Sequence, residues 1–352
     1  MSCFGIASGS RHASPTSKEI DLDIKKDRLA RQEKLTCVVL GCEGSGASTF
    51  MKQMKILHLS GFSDAEQAEY KSKTQAHLIQ VVGTLLERVQ GQIEDQTAVL
   101  VVHKNLDDLI AETRLRDHFE IDEDLRKAID IVMKEPAMQE IANSFDITTS
   151  ALAYFIDEYE RIIQKDYHPD IADILRTPTK RCFQSISFQM DGLTWDISNM
   201  SCHLNSSSTR WLEQFDSDSV AVLLFIVALD SYDCFMEDGQ NQLLHTLEVY
   251  SSVINHPSMR GLDITLFFNK RDVFEEKLKA TDLSVCFPTC SVTSIANAYS
   301  YIQKQFQAKD EQQYREIYSH CISALDTANV RVIFKAVNTT TLHQVISRDF
   351  LF

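Results

Sequence analysis

Two spacings of apolar residues divide the chain. Between residue 61 and about residue 176 large apolar side chains recur every three or four positions, the period of an amphipathic helix. Residues 64–90 read as one long helix, with Ile79, Val82, Leu85, Leu86 and Val89 on one face. Further helices are predicted over 106–119, 125–133 and 151–163, the last placing Leu152, Phe155, Ile156, Tyr159 and Ile163 on one side. After residue 176 the pattern becomes short apolar runs alternating with helices. Residues 186–188 and 193–195 read as a short antiparallel pair about Asp191-Gly192, 220–229 as a central buried strand, and 264–268 as another. Helices are predicted at 242–254, 295–306 and 329–345. Before the helical block stand an apolar run, 35–40, rich in β-branched residues, and a helical stretch, 49–58. Strands separated by helices make a parallel α/β sheet, with the helical block as an insertion.

Between that first strand and first helix lies Gly41-Cys42-Glu43-Gly44-Ser45-Gly46-Ala47-Ser48-Thr49. The spacing is that of a phosphate-binding loop, G-x-x-x-x-G-K-[ST], in strand–loop–helix context. Both glycines and the Mg²⁺-ligating hydroxyl, Ser48, stand in register, but Ala47 occupies the lysine position. Directly behind the strand 264–268 comes Asn269-Lys270-Arg271-Asp272. An aspartate at the C-terminal end of a strand, where doubly wound sheets bind ligands, accepts hydrogen bonds from N1–H and the 2-amino group of guanine. Adenine supplies neither. A polar turn capping the next helix is the competing reading.

Composition narrows the classes. A length of 352 residues suits two domains, or one domain with a large insertion. The net charge of −15 argues against a nucleic-acid partner, whose phosphates would be repelled. The run 220–229 is too short to span a bilayer, and residues 1–15 lack the apolar core of a signal peptide. The cysteines are scattered without zinc-ligand spacing, as expected of free thiols in a reducing compartment. Cys3 is the exception, a candidate for S-palmitoylation, whereas Ser2 stands where N-myristoylation needs Gly.

Over nearly its whole length from about residue 17 the chain resembles heterotrimeric G-protein α subunits. The residues that carry this are Phe50-Met51-Lys52-Gln53-Met54-Lys55-Ile56-Leu57-His58, Asp173-Ile174-Leu175-Arg176-Thr177 and Val227-Ala228-Leu229-Asp230-Ser231-Tyr232-Asp233. To these add Phe268-Asn269-Lys270-Arg271-Asp272-Val273-Phe274-Glu275-Glu276-Lys277 and Ala324-Leu325-Asp326-Thr327-Ala328-Asn329-Val330. The resemblance implies an α/β fold, a Ras-like P-loop GTPase domain (34–60 and 176–352) with an inserted all-helical domain (61–175), preceded by a tail and βγ-docking helix (1–33). It implies GTP/GDP and Mg²⁺ as ligands. The nucleotide would be held by Gly41, Glu43, Gly44, Ser45, Gly46, Ser48, Thr49, Leu175, Arg176, Asn269, Lys270, Asp272 and Ala324, and the metal by Ser48 and Asp196. It further implies a βγ dimer on the N-terminal helix, a seven-transmembrane receptor at the C-terminal tail ending in Phe350-Leu351-Phe352, and a peripheral position on the cytoplasmic face of the plasma membrane, with Cys3 lipidated.

The departures fall on chemistry. The family's hydrolytic parts are a loop Lys, an arginine finger in cis, a Mg²⁺-ligating Thr and a water-orienting Gln. Here Ala47, Pro178, Arg181 and Met200 stand in those places, the D-x-G-G-Q motif being matched from Asp196. Glu43 replaces a Gly and turns a carboxylate toward the phosphates unless it swings out. Losing the Lys contact costs roughly 1.5–3 kcal/mol, about ten- to a hundred-fold in affinity. The finger alone, by the figure established for GTPases of this kind, is worth about 10³–10⁵ in rate. The sequence therefore predicts weakened nucleotide binding with slow or absent hydrolysis. The alternative is a nucleotide-independent pseudo-GTPase that binds βγ or receptor as an adaptor.

Overall fold

The computed structural model describes residues 34–89, 92–111, 118–144, 152–179, 184–201, 204, 210–213, 215, 219–290, 294–311 and 315–349, with 210 and 345–349 described by their backbone alone. Cys3, the expected βγ-docking helix, Arg181 and the tail 350–352 lie outside those residues.

The first strand, β1 (Lys34–Gly41), is nearly all buried. Its alternation sends Cys37 and Val39 to one face of the sheet and Val38 and Leu40 to the other, and both faces are covered. That double burial explains why the sequence reads there as a continuous apolar run. Helix α1 (Ala47–His58) follows the loop and packs Phe50, Met51 and Met54 against Val39, Leu224 and Ile226.

Among the described residues seven helices come next: α2 (Asp64–Val89), α3 (Gln96–Ala111), α4 (Glu123–Lys134), α5 (Pro136–Ser144), α6 (Ala153–Asp157), α7 (Tyr159–Ile162) and α8 (Ile171–Arg176). They bury their apolar stripes in a core of their own, in which Ile79, Val82, Leu85, Val102, Ile129 and Phe155 are central. The helix expected over 106–119 is α3, displaced toward the N-terminus, with Phe119 beyond its end. The single helix expected over 151–163 is broken at Glu158 (φ −93°, ψ 4°) into α6 and α7.

The rest of the sheet is β2 (Gln184–Met190), β3 (Leu193–Asn199), β4 (Val222–Ala228), β5 (Ile264–Asn269) and β6 (Ile317–Cys321). The strand order is β2-β3-β1-β4-β5-β6, parallel except for the β2–β3 hairpin. Asp191 (φ 51°) and Gly192 (φ 82°) turn that hairpin, both with the positive φ a type I′ turn demands. Helices α9 (Arg210–Glu213), α10 (Gln242–Ile254), α11 (Arg271–Lys277), α12 (Ile295–Gln307) and α13 (Thr327–Asp349) complete the chain. α10 and α12 cover one face of the sheet through Leu247, Tyr250, Ile302 and Phe306. α1 and α13 cover the other, where Phe334 packs edge-on to Trp195. The C-terminal ends of β1, β4 and β5 therefore open on one edge, with the glycine loop at its centre. No helix among the described residues is long and apolar enough to cross a membrane.

Candidate functional site

The loop from Gly41 to Gly46 has the backbone of a phosphate cradle. Gly44 (φ 75°) and Gly46 (φ 93°) occupy left-handed conformations that side chains rarely adopt. A Cβ on Gly41 would stand 2.3 Å from Ser45 Oγ and 2.8 Å from the carbonyl of Ile226, and one on Gly46 would stand 2.1 Å from Asn269 Nδ2. The loop closes on itself through Ser45 N–H donating to the Cys42 carbonyl at 3.0 Å. Gly46 caps α1 without any side-chain cap, and the first turn carries no acidic residue. Ala47 N–H makes a long contact to Ser45 Oγ at 3.4 Å; the other first-turn N–H groups of α1, which have no partner within the helix, face the cradle with the positive end of the helix dipole. Glu43 is exposed, so its carboxylate has swung out to solvent. Ala47 is buried.

Asn269 ties the cradle to the base-recognition end. Its Nδ2 donates to the Ser45 carbonyl at 2.8 Å, and its Oδ1 accepts from Ala324 N–H at 2.9 Å. The Ala324 segment is held further by Gln53 Nε2 donating to its carbonyl at 2.8 Å and by Ile322 N–H donating to Phe268. The backbone N–H of Ala324, an expected nucleotide-holding residue, is therefore already engaged by Asn269. Lys270 (φ 59°) caps α11, and its ammonium pairs with Asp230 Oδ2 at 2.9 Å. Lys277 pairs with Asp233 at 2.7 Å and donates to the Asp230 carbonyl. Asp272 is exposed in the first turn of α11, open to a base.

The far wall comes from α8. Thr49 Oγ1 donates to the Leu175 carbonyl at 3.3 Å, bringing two expected site residues together. Lys52, 4% exposed, donates to the carbonyls of Ile174 at 2.8 Å and Thr177 at 2.6 Å. Burial, with Lys73 adding repulsion, pushes its ammonium down to about 7. Arg176 stacks on the Tyr154 ring, 4.3 Å from guanidinium to centroid, and reaches the Ala172 carbonyl; it does not turn into the cradle. α8 itself is anchored by Asp173, fully buried, which accepts from Arg161, Tyr154, Tyr167 and the Asp170 N–H. Pro178 follows, exposed and chargeless.

Two expected assignments are corrected by the strand register. Asp196 pairs with Thr36 in mid-strand, five residues short of Gly41 and so roughly 16 Å from the loop. Its Oδ2 is bound to Lys34 Nζ at 2.6 Å. Burial works to raise its carboxyl, but hydrogen bonds from Lys34 and Ser187 hold it below the usual range. It cannot share a cation with Ser48. The residue beside the loop is Asn199, opposite Val39 and 2% exposed, whose Oδ1 accepts from Ser201 N–H at 3.0 Å. Met200 donates its N–H to the Val39 carbonyl and packs against the core, so it does not hold the water-orienting place. Counted from Asn199, that place falls on His203, outside the described residues. Hard Mg²⁺ prefers carboxylate oxygens, and at the end of β3 level with the loop the described residue is the amide Asn199; no cluster of metal-binding side chains occurs among the described residues.

The model of the G-protein alpha subunit family matches residues 14–341. The chain is 31% identical to the guanine nucleotide-binding protein G(o) subunit alpha of Lymnaea stagnalis over 351 residues, 96% of each chain. It is 31% identical to the alpha-2 subunit of Dictyostelium discoideum, covering 99% of this chain and 100% of the relative. The G(o) subunit alpha of Caenorhabditis elegans is 30% identical over 93% of each. With a glycine loop closed at the C-terminal edge of the sheet, an N-K-x-D turn braced to it and a helical block between α1 and β2, the chain belongs to the G-protein alpha subunit family.

Proposed function

We propose that this chain is a guanine-nucleotide-binding α subunit of a heterotrimeric G protein that relays signals from a membrane receptor, with slow or absent GTP hydrolysis. The observation that carries the reading is the first turn of α1, capped by a glycine and free of acidic residues, behind a glycine loop with left-handed Gly44 and Gly46, an anion site that survives without its lysine. Asp272 supplies guanine selectivity, and the relatives' own names speak of guanine nucleotide binding. The helical block, 61–175, closes over the nucleotide. Hydrolysis is slow because Pro178 offers no charge and Arg176 is held against Tyr154. Residues 1–33 dock βγ, the tail enters the receptor, and acylated Cys3 holds the chain peripherally on the cytoplasmic face of the plasma membrane; Cys3→Ser should release it to the soluble fraction.

A second reading is a nucleotide-independent adaptor, favoured by one observation: Lys270 and Ala324 N–H, on two residues expected to hold the nucleotide, are satisfied within the protein. Calorimetry with GDP, GTP and ATP on the full chain separates the two. Micromolar guanine-selective binding, with single-turnover hydrolysis slower than that of ordinary α subunits, is the result expected. No binding at millimolar nucleotide leaves the adaptor.

A further inference from the structure

The charge balance around the loop points to a sharper ligand class. We propose that this site takes a guanosine diphosphate without Mg²⁺ and discriminates against the triphosphate. The inference rests on the guanine-nucleotide reading above and goes past it, from whether a nucleotide is held to which one and with what cation.

In a phosphate-loop site the β-phosphate rests on backbone N–H groups, whereas Lys and Mg²⁺ reach the β- and γ-oxygens. This chain keeps the first device and lacks both parts of the second. The N–H groups are those of the first turn of α1, one of them, Ala47 N–H, in long contact with Ser45 Oγ at 3.4 Å, and the turn is worth about half a positive charge. The lysine position is buried Ala47. The carboxylate position beside the loop is Asn199, a neutral amide whose oxygen already accepts from Ser201, while Asp196 is paired with Lys34 at the other end of β1.

The nearby cations among the described residues are committed elsewhere. Lys52 is spent on the carbonyls of Ile174 and Thr177, and Lys55 on Glu66. Arg176 lies on Tyr154, and Lys270 is held by Asp230. Lys180 and Arg181 fall outside the described residues. A diphosphate thus finds its main partner intact. A triphosphate brings a further anionic phosphoryl group to a place with no described counter-charge, and a hard cation brought with it finds Ser48 and an amide where it wants carboxylate.

The test is calorimetric titration of the full chain with GDP and with GTP, each in millimolar Mg²⁺ and in EDTA. The result expected is GDP affinity unchanged within about twofold on removing Mg²⁺, and GTP weaker than GDP by about tenfold or more in both buffers. GTP binding that tightens about tenfold or more with Mg²⁺, or that equals GDP in EDTA, overturns the inference and leaves the guanine-nucleotide reading standing. Absence of any binding at millimolar nucleotide overturns both. The double variant Ala47→Lys, Asn199→Asp should gain Mg²⁺-dependent GTP binding; no gain would overturn the assignment of the preference to these two positions.

Discussion

Lys52→Met would test how the two halves of the molecule are joined. Lys52 lies on α1, yet its ammonium serves the C-terminal end of α8, 122 and 125 residues away in sequence. Ile174 needs this donor, because four residues on stands Pro178, which has no N–H to complete the helical hydrogen bond. The ammonium is buried and stands near a second cation, Lys73, so its proton is held less tightly than in the unfolded chain: about 7 against 10.5. Between those values the unfolded state binds more protons than the folded one, so stability rises with pH across the window, and the full cost remains below about pH 7. The fall is worth on the order of 5 kcal/mol, of which roughly 2.5 kcal/mol is recovered between about pH 7.5 and about pH 9.5.

Met keeps the stem's packing and removes the charge, leaving two carbonyls short of a donor at a pH-independent cost of about 1–3 kcal/mol each. Urea unfolding of both proteins at the two pH values isolates Lys52, since the other titrating groups cancel in the difference. The wild type should gain roughly 2.5 kcal/mol on the variant as pH rises. A difference that stays constant, or moves the other way, would refute the argument that the ammonium is held at the expense of its hydration.

Asn269→Ala removes both bonds of the brace at a residue 2% exposed, so urea unfolding should show a loss of about 2–4 kcal/mol and guanine binding should vanish. Gly46→Ala places a methyl 2.1 Å from Asn269 Nδ2 at φ 93°; a cost of about 1–3 kcal/mol and weaker GDP binding by calorimetry are expected. At Asp173 burial opposes the charge, yet Arg161, Tyr154 and the Asp170 N–H hold the carboxyl below its usual range. That stabilisation is complete above the unfolded value, about pH 3.9, and fades as pH falls through the folded one. Asp173→Asn should therefore cost about 3 kcal/mol at neutral pH and flatten the acid limb of a stability–pH curve. Asp196→Asn breaks a part-exposed pair with Lys34, so it should cost no more than about 1 kcal/mol and leave nucleotide affinity unchanged; a clear loss of affinity would return Asp196 to the site.

What could be read in advance follows from how local the determining physics is. The Asp191-Gly192 hairpin, the run that became β4 and the helix Gln242–Ile254 were legible because turn chemistry and periodicity act over a few residues. β6 was not, because Ile-Tyr-Ser-His-Cys is half-buried at the edge of the sheet and shows neither alternation nor an apolar run. The helix from Pro136 was missed for a similar reason, its one fully buried residue being Met138. The glycine loop could be named from sequence because its φ values demand glycine at two places. The strand leading to the metal position has no such local constraint: Asp196 matches the first position of D-x-G-G-Q, but no glycine follows to fix the alignment. Register is fixed instead by pairing with β1 and by burial, which put Trp195 and Ile197 inward and bring Asn199 level with Val39. A slip of three residues in a motif thus changed the charge assigned to the site, from a carboxylate at the loop to an amide. That change is what moves the chemistry from a cation-assisted triphosphate switch toward a diphosphate cradle.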